Sequence, residues 1–566
     1  MEISKLKIKN FRSIKSAEIA FCPIIAVVGK NNAGKSAILK ALNCFFNPEM
    51  EREAFESGVH HHTNNATPAI EILFSKISTS SPIPHSSKSE SVWIRFQWKG
   101  SEPVYSFKRQ TKYHQLTKSQ LTSLKSSVAF RLVPPVREYQ RLNRFENNLL
   151  KEIIVAFLAK KQRNTISPKL KVVGTQVRKT LGEIEKKVKA NYLLEKGLDF
   201  ALAYDDSEEN THNFMSDFRL RIIEKGIEFR PEECGTGVQS LLIIGLYKYL
   251  SDLTHKNYLI GIEEPEANLH PQSQRHLIRR LKELVDKKDI SVVMTTHSPS
   301  IVDSLDHTEI ALCRKTYNQN NRCLTSIHQL QDNYWAVNKL QKHKYDTFFK
   351  YLNSEFFFAD KVIICEGRSD ERVIQMIAND NDVDLLEKNI SILRLDGIKN
   401  LNYPYSLVTE LGMEHLIVID KDFFFQYKNG SLASSRDSKG FPQYKTDYNS
   451  TNLTLIQKMI PGPTKRDTLK KEFKSNHATA LKTLSTYNII CFRYNLETDL
   501  CNSKLGLQEY GKTFKIGAGK DLNEEVLVKR CEAMKDLNRI EAVYKSLDNR
   551  NFPYSYSKIK NLLKKM

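Results

Sequence analysis

The sequence predicts an α/β chain in which two parallel-sheet units follow one another and the first is interrupted by a helical insertion. Three observations carry this. Short apolar runs of strand length recur at 23–29 (PIIAVVG), 257–264 (NYLIGIEE), 290–296 (ISVVMTT), 361–367 (KVIICEG) and 414–420 (EHLIVID). A run that is apolar at nearly every position is what a strand buried on both faces requires. Helical text separates the runs, and strands alternating with helices build parallel sheets. Four of the five runs end in glycine or a carboxylate, at the sheet edge where open α/β folds collect their ligands.

In chain order, KLKIKNF (5–11) alternates polar and apolar residues with the period of a strand. KSAILKALNCFF (35–46) places Ile38, Leu39, Leu42 and Phe45 on one helical face. Residues 68–110 alternate again (AIEILF, VWIRFQW, VYSFKR), as in an antiparallel sheet, around a Ser/Pro-rich loop at 77–91. Residues 139–200 are rich in Lys, Leu and Glu and poor in Gly, which predicts helix and suggests an inserted arm or dimerisation unit. Strand-like text returns at 215–230, and 237–295 reads helix, strand, helix, strand. Residues 334–358 read as a joining helix, and a polar stretch from Lys428 to Thr451 reads as loop. The expected boundaries are 1–138 and 216–333 for the two parts of the first unit, 139–215 for the insertion, 334–358 for the linker and 359–566 for the second unit.

The chain has 566 residues, 40% of them hydrophobic, and a formal net charge of +21. That excess favours a polyanion partner, because each neutralised phosphate releases condensed counterions. The nine cysteines are scattered, with no CxxC pair. This argues against a disulfide framework or a zinc site and for a reducing cytosol. No apolar run is long enough to span a membrane, and the first 16 residues lack the apolar core of a signal peptide.

Gly29 to Ser36 reads GKNNAGKS, a full match to GxxxxGK[ST] between a buried strand and a helix. Gly29, Asn32 and Gly34 let backbone N–H groups wrap phosphate oxygens. Lys35 supplies a point charge to the terminal phosphates of ATP, and Ser36 ligates its Mg²⁺. In YLIGIEEPEANLH (258–270), Glu263 is placed to hold the metal and Glu264 to orient and deprotonate the attacking water. His297, after the next buried strand, fits a γ-phosphate sensor. Gly235 and Gly237, in ECGTGVQS at the head of an apolar helix, fit a phosphate contact from another subunit. Together these segments resemble ABC-type ATPases of the SMC and Rad50 kind, with a signature motif that departs from the usual one. In that superfamily the ATP site forms between two heads, which implies a homodimer or higher homo-oligomer.

KVIICEGRSDER (361–372) delivers Glu366 to a strand end, with Asp370 four residues on; EHLIVIDKDF (414–423) ends in Asp420, with Asp422 two residues later. Hard oxygen ligands of this kind suit Mg²⁺ or Mn²⁺, and the paired carboxylates repel one another unless a cation lies between them. EGxxD followed about fifty residues later by DxD resembles the Toprim domain of topoisomerases, primases and certain nucleases. An SMC-like ATPase with a C-terminal Toprim resembles the OLD (overcoming lysogenization defect) nucleases. Gabija-type and retron-associated antiphage nucleases belong to that family, so a defence-system partner protein or retron nucleic acid is among the partners the resemblance allows. It implies two-metal phosphodiester hydrolysis on DNA. It also implies a further acid, for which Glu497 and Asp499 both qualify, and a lysine, for which Lys520 is the better match and Lys515 its rival. The competing expectation is an SMC-like DNA-binding ATPase with an inactive Toprim.

Overall fold

The computed structural model describes all residues except 64–65, 86–89, 101, 134–148, 151, 154–169, 192–197, 205–217, 231–232, 235, 268, 286–289, 318–322, 332, 339, 342–353 and 549–550. The chain divides into two compact units: Met1–Trp335 with Asp346–Phe358, and Ala336–Tyr345 with Ala359–Met566.

The first unit opens with β1 (Glu2–Phe11), β2 (Ile14–Ala20) and β3 (Ile24–Val28), followed by α1 (Lys35–Phe46). β4 (Ala69–Ser75), β5 (Val92–Lys99), β6 (Glu102–Arg109) and β7 (Lys112–Gln115) join β1 and β2 in an antiparallel sheet of order β2-β1-β4-β5-β6-β7. Alternate residues of β5 are buried, as its pattern predicts. They meet the apolar face of α1, where Ile38, Leu39, Leu42 and Phe45 pack among Ile8, Ile70, Phe74 and Phe96. Burying each such side chain contributes about 1.5–3 kcal/mol. This holds the start of α1 firmly against the sheets.

The second sheet contains β8 (Val128–Val133), β12 (Asn257–Glu263), β13 (Ile290–Thr296), β14 (Ile310–Tyr317) and β15 (Cys323–Gln329), in the order β15-β14-β3-β13-β12-β8. Every pairing is parallel except β14 with β15. Two parts of it do not follow from the sequence pattern. β8 follows directly on a short helix, Lys118–Ser127, with no turn residue between them, and the β14–β15 hairpin is only partly buried. A smaller antiparallel sheet, β11-β10-β9, contains β9 (Leu198–Tyr204), β10 (Phe218–Glu224) and β11 (Ile227–Phe229). β9 begins where helix was expected to end; the 139–200 region also includes α2 (Leu170–Asn191), and much of the rest lies outside the described residues. α3 (Thr236–Thr254) and α4 (Pro271–Val285) flank β12 in the chain. Of the expected joining helix, only the turns Tyr334–Val337 and Ser354–Phe358 are described as helical.

The second unit is a four-stranded parallel sheet of order β17-β16-β18-β19, built from β16 (Lys361–Cys365), β17 (Ile390–Arg394), β18 (Glu414–Ile419) and β19 (Ile489–Cys491). Its helices include α5 (Arg368–Asn379), α6 (Asn402–Glu410), α7 (Pro463–Ser475), α8 (His477–Ser485), α9 (Leu496–Leu500), α10 (Lys504–Thr513), α11 (Leu537–Ser546) and α12 (Tyr554–Lys565). The stretch after Asp422 is loop, pinned by the antiparallel bridges Tyr427↔Tyr444 and Arg436↔Pro442.

Candidate functional site

The phosphate loop shows why its glycines are needed. Gly29 has φ +141° and Gly34 φ +99°. A Cβ on Gly29 would run into the Cys313 carbonyl, and one on Gly34 into the Thr325 hydroxyl. That hydroxyl donates to the Ala33 carbonyl at 2.9 Å, and the Thr325 N–H donates to Ser13 O at 2.8 Å, so β15 braces the loop. Asn32 also takes a left-handed φ, +60°. Gly34 caps α1 without a side chain, and Ser36 is exposed in the first turn. Such an uncapped helix start is built to receive phosphate. The Lys35 ammonium donates to the carbonyls of Gly29 (3.0 Å) and Lys30 (2.8 Å). Burial pushes it down from its ordinary pKa, while Cys313, Glu264 and Glu266 pull it back up.

Strand order brings the rest of this site to the same edge. β13 lies between β3 and β12, with Val28 opposite Thr296 and Glu263 opposite Thr295. Glu263 ends its strand half-buried. Glu264 is exposed, with φ +47° and its N–H donating to Thr295 O at 2.9 Å. His297 titrates below its ordinary range, first because it is buried and then because Lys35 is near, so its imidazole is neutral at pH 7. Glu266, which sequence reasoning did not single out, accepts the His297 backbone N–H at 2.7 Å and joins the two strand ends. Nothing in EEPEANLH distinguishes it from a surface acid. Gly237 lies in the first turn of α3; Gly235 lies outside the described residues.

In the second unit, β16 and β18 are paired in parallel register, Cys365 opposite Val418, so that Glu366 and Asp420 leave the sheet side by side. Ligand oxygens of Glu366, Asp420 and Asp422 lie within 4.8 Å of one another. Glu366 Oε2 and Asp422 Oδ1 are buried without a hydrogen-bond partner. Buried carboxylate oxygens facing each other with no donor are costly unless a cation joins them, so the donor set fits a divalent metal. Burial, followed by Asp422, Asp370 and Glu497, raises the Glu366 carboxyl to about 8. Asp420 is raised well above its ordinary value, and Asp422 is raised as well, both chiefly by burial. Asp370 is buried at the start of α5, where one oxygen accepts the Gly367 N–H at 2.9 Å. It acts on Glu366 and Asp420 through its charge and is not among the three converging ligands.

The alternatives left open by the sequence resolve differently. Glu497 and Asp499 share α9 but have different surroundings. Glu497 is 6% exposed, raised to about 7 chiefly by burial, and adds to the field at Glu366 and Asp420. Asp499 instead accepts the N–H groups of Arg493 and Tyr494. For the lysine, Lys520 and Lys515 are exposed in the turns after α10, and neither is among the largest charges acting on these acids. Lys535, on the 3₁₀ turn Ala533–Lys535, lowers the pKa of Glu366, Asp422 and Glu497. No glycine or strand marks it in CEAMKDLNR, so no sequence signal singles it out.

A second buried group, Cys44, Glu51 and His60, also has metal-ligand spacing. Its donors are already matched: Glu51 accepts from Asn43 (2.7 Å), Lys40 (3.0 Å) and His60 (3.1 Å), and Arg12 donates to the other His60 nitrogen at 3.2 Å. With two cations at hydrogen-bond distance it is a closed network that does not need a metal ion.

Both units of the chain resemble known proteins. The family model described as AAA ATPase domain matches residues 1–127 and 85–302, and the model described as overcoming lysogenization defect protein-like TOPRIM domain matches 357–422. The chain belongs to the OLD family of ATPase–TOPRIM proteins. This OLD-family chain is 25% identical to the OLD nuclease of Thermus scotoductus over 74% of its own length and 82% of that protein's. It is 28% identical to the endonuclease GajA of Bacillus cereus strain HuB5-5, over 44% of its length and 38% of that relative's. Among solved structures, an Smc head bound to the C-terminal winged-helix domain of ScpA aligns at TM-score 0.42 and 16% identity, over 58% of this chain and 99% of that one. The TOPRIM match ends at Asp422, so Glu497 and Lys535 rest on the geometry alone.

Proposed function

We propose that this protein is an ATP-dependent, metal-dependent DNA endonuclease of the OLD family. The observation that carries the reading is the convergence of Glu366, Asp420 and Asp422, with two buried oxygens lacking any donor, at the C-terminal edge of a parallel sheet. Glu366, Asp420, Asp422 and Glu497 would hold Mg²⁺ or Mn²⁺, with Asp370 adding charge and fixing the start of α5. Bound divalent ions supply the activation of water and the stabilisation of the leaving oxygen in phosphodiester hydrolysis. Lys535 lies at the rim of the acids, paired with Glu532 at 2.8 Å, where it can neutralise charge growing on the phosphate.

At the other site, the loop 29–36 and the uncapped start of α1 would cradle the phosphates of ATP. Lys35 would turn from its two carbonyls to the terminal phosphates, Ser36 and Glu263 would hold its metal, and the Glu264 carboxylate would take the proton from the attacking water. His297 would donate its imidazole N–H to the γ-phosphate. Gly235 and Gly237 would contact the nucleotide of a second copy, which makes the working unit a homodimer or higher oligomer through the ATPase heads. The region 139–215 is a further candidate contact. The family resemblance points to antiphage defence in a bacterial cytoplasm. No helix among the described residues is long and apolar enough to cross a membrane.

The second reading, an SMC-like DNA-binding ATPase with an inactive Toprim, would have been favoured by a missing ligand; all four acids named from the sequence are present, and three converge. The test is incubation of purified protein with supercoiled plasmid and Mg²⁺ or Mn²⁺, with and without ATP. Metal-dependent nicking or linearisation is expected. Intact plasmid under every condition would return the protein to the second reading.

A further inference from the structure

α9 is five residues long, too short to be stable on its own, yet it carries Glu497. Its position must therefore be imposed from outside. Asn495 caps it, accepting the Thr498 N–H at 2.9 Å, and the same side chain donates from Nδ2 to Glu497 Oε1 at 3.2 Å. Asp499 folds back to accept the N–H groups of Arg493 and Tyr494, each at 2.9 Å. The Leu496 N–H donates to Asp420 Oδ1 at 3.2 Å, which ties the helix directly to one of the converging acids.

Two more contacts come from the far end of the chain. The Ser555 hydroxyl donates to Asp499 Oδ2 at 2.7 Å, and the Tyr556 hydroxyl donates to Leu496 O at 2.9 Å. Asp499, Ser555 and Tyr556 are each 1% exposed, so water cannot substitute for a lost partner at low cost. Both hydroxyls belong to the first turn of α12, which begins at Tyr554. Neither hydroxyl bonds to Glu366, Asp420, Asp422 or Glu497; their partners are Asp499 and the Leu496 carbonyl.

We infer that this first turn is the positioning element of the nuclease centre: Ser555, through Asp499, and Tyr556, through the Leu496 carbonyl, hold α9 so that Glu497 and Asp420 face one metal site. The inference rests on the metal-dependent reading above. Ser555 and Tyr556 are positioning residues, and they act at a distance, as groups that orient metal ligands commonly do.

The test separates positioning from ordinary packing. Tyr556→Phe removes one hydroxyl and keeps the ring against Phe492, 5.7 Å away between centroids. Ser555→Ala removes the other hydroxyl, and Ser555→Thr restores one. Mn²⁺ binding to the full-length protein, without nucleotide, is followed by calorimetry, with the melting temperature measured alongside. Orienting groups of this kind are worth about 10–100-fold in metal affinity. Tyr556→Phe and Ser555→Ala should each weaken Mn²⁺ binding about tenfold or more while still melting cooperatively, with Ser555→Thr near wild type and cleavage by the Ala variant recovering at high Mn²⁺. Wild-type Mn²⁺ affinity in a folded Tyr556→Phe variant would overturn the inference. If the wild-type protein and its Glu366→Ala variant bind Mn²⁺ equally, the metal-centre reading itself has failed. Should Ser555→Ala not fold, the single hydroxyl deletion at Tyr556 still decides.

Discussion

Metal binding at the acid cluster should release protons. Without metal, burial raises Glu366 to about 8, Glu497 to about 7 and Asp370 to about 6, with repulsion from neighbouring acids adding at Glu366 and Glu497. At pH 7 Glu366 is then largely protonated and Glu497 about half so. An ion that needs these groups as carboxylates must displace at least one proton, so affinity should rise about tenfold or more per pH unit near neutrality. The sign for folding runs the other way. In the unfolded chain these acids titrate near 4, so between about pH 4 and 8 the metal-free native state binds more protons than the unfolded state. Its stability is therefore greatest at the acid end of that window and declines as pH rises, and added metal should restore it. Calorimetric Mn²⁺ titrations in two buffers of different ionisation enthalpy count the protons directly. A binding enthalpy independent of buffer, with affinity constant from pH 6 to 8, would refute this electrostatic picture of the site.

Other consequences follow from the same geometry. Lys35→Ala removes the ammonium from the phosphate loop and should abolish nucleotide binding or hydrolysis, while Glu264→Gln should retain bound ATP; fluorescent-nucleotide binding and phosphate release distinguish the two. Lys535→Ala should lower the cleavage rate about 100-fold with Mn²⁺ affinity largely kept, whereas Lys520→Ala, at an exposed turn, should cut at close to the wild-type rate in a plasmid assay. DNA affinity should fall steeply between low and physiological salt, because a chain of net charge +21 meets phosphates mainly through Lys and Arg; fluorescence anisotropy across a salt series reads the slope.

Much of this arrangement was legible in the residue pattern. The buried strands β3, β12, β13, β16 and β18 could be read because a strand covered on both faces must be apolar throughout. The candidate sites at their ends could be read because Gly29, Glu366 and Asp420 follow those strands immediately. What escaped has the opposite character. β8 and the β14–β15 hairpin lie at the margins of the sheet, where one-sided burial leaves a weak pattern. Lys535 comes from a single 3₁₀ turn, and Glu266 from a loop, so neither has a periodicity to announce it. Glu497 and Asp499 lie two residues apart on α9, and their sequence carries no sign of which one faces the metal ligands. What sets Asp499 apart is its hydrogen bonds from Arg493, Tyr494 and Ser555, and Ser555 lies 56 positions further along the chain.

The most direct test is cleavage of supercoiled plasmid by the Asp420→Ala variant beside wild type and Lys35→Ala, with Mn²⁺ present and melting temperature as the folding control. Asp420 is the acid that joins the Glu366–Asp422 cluster to α9. Its loss should abolish cutting in a protein that still folds and still binds ATP. Wild-type cutting by a folded Asp420→Ala protein would show that the converging carboxylates are not the nuclease centre.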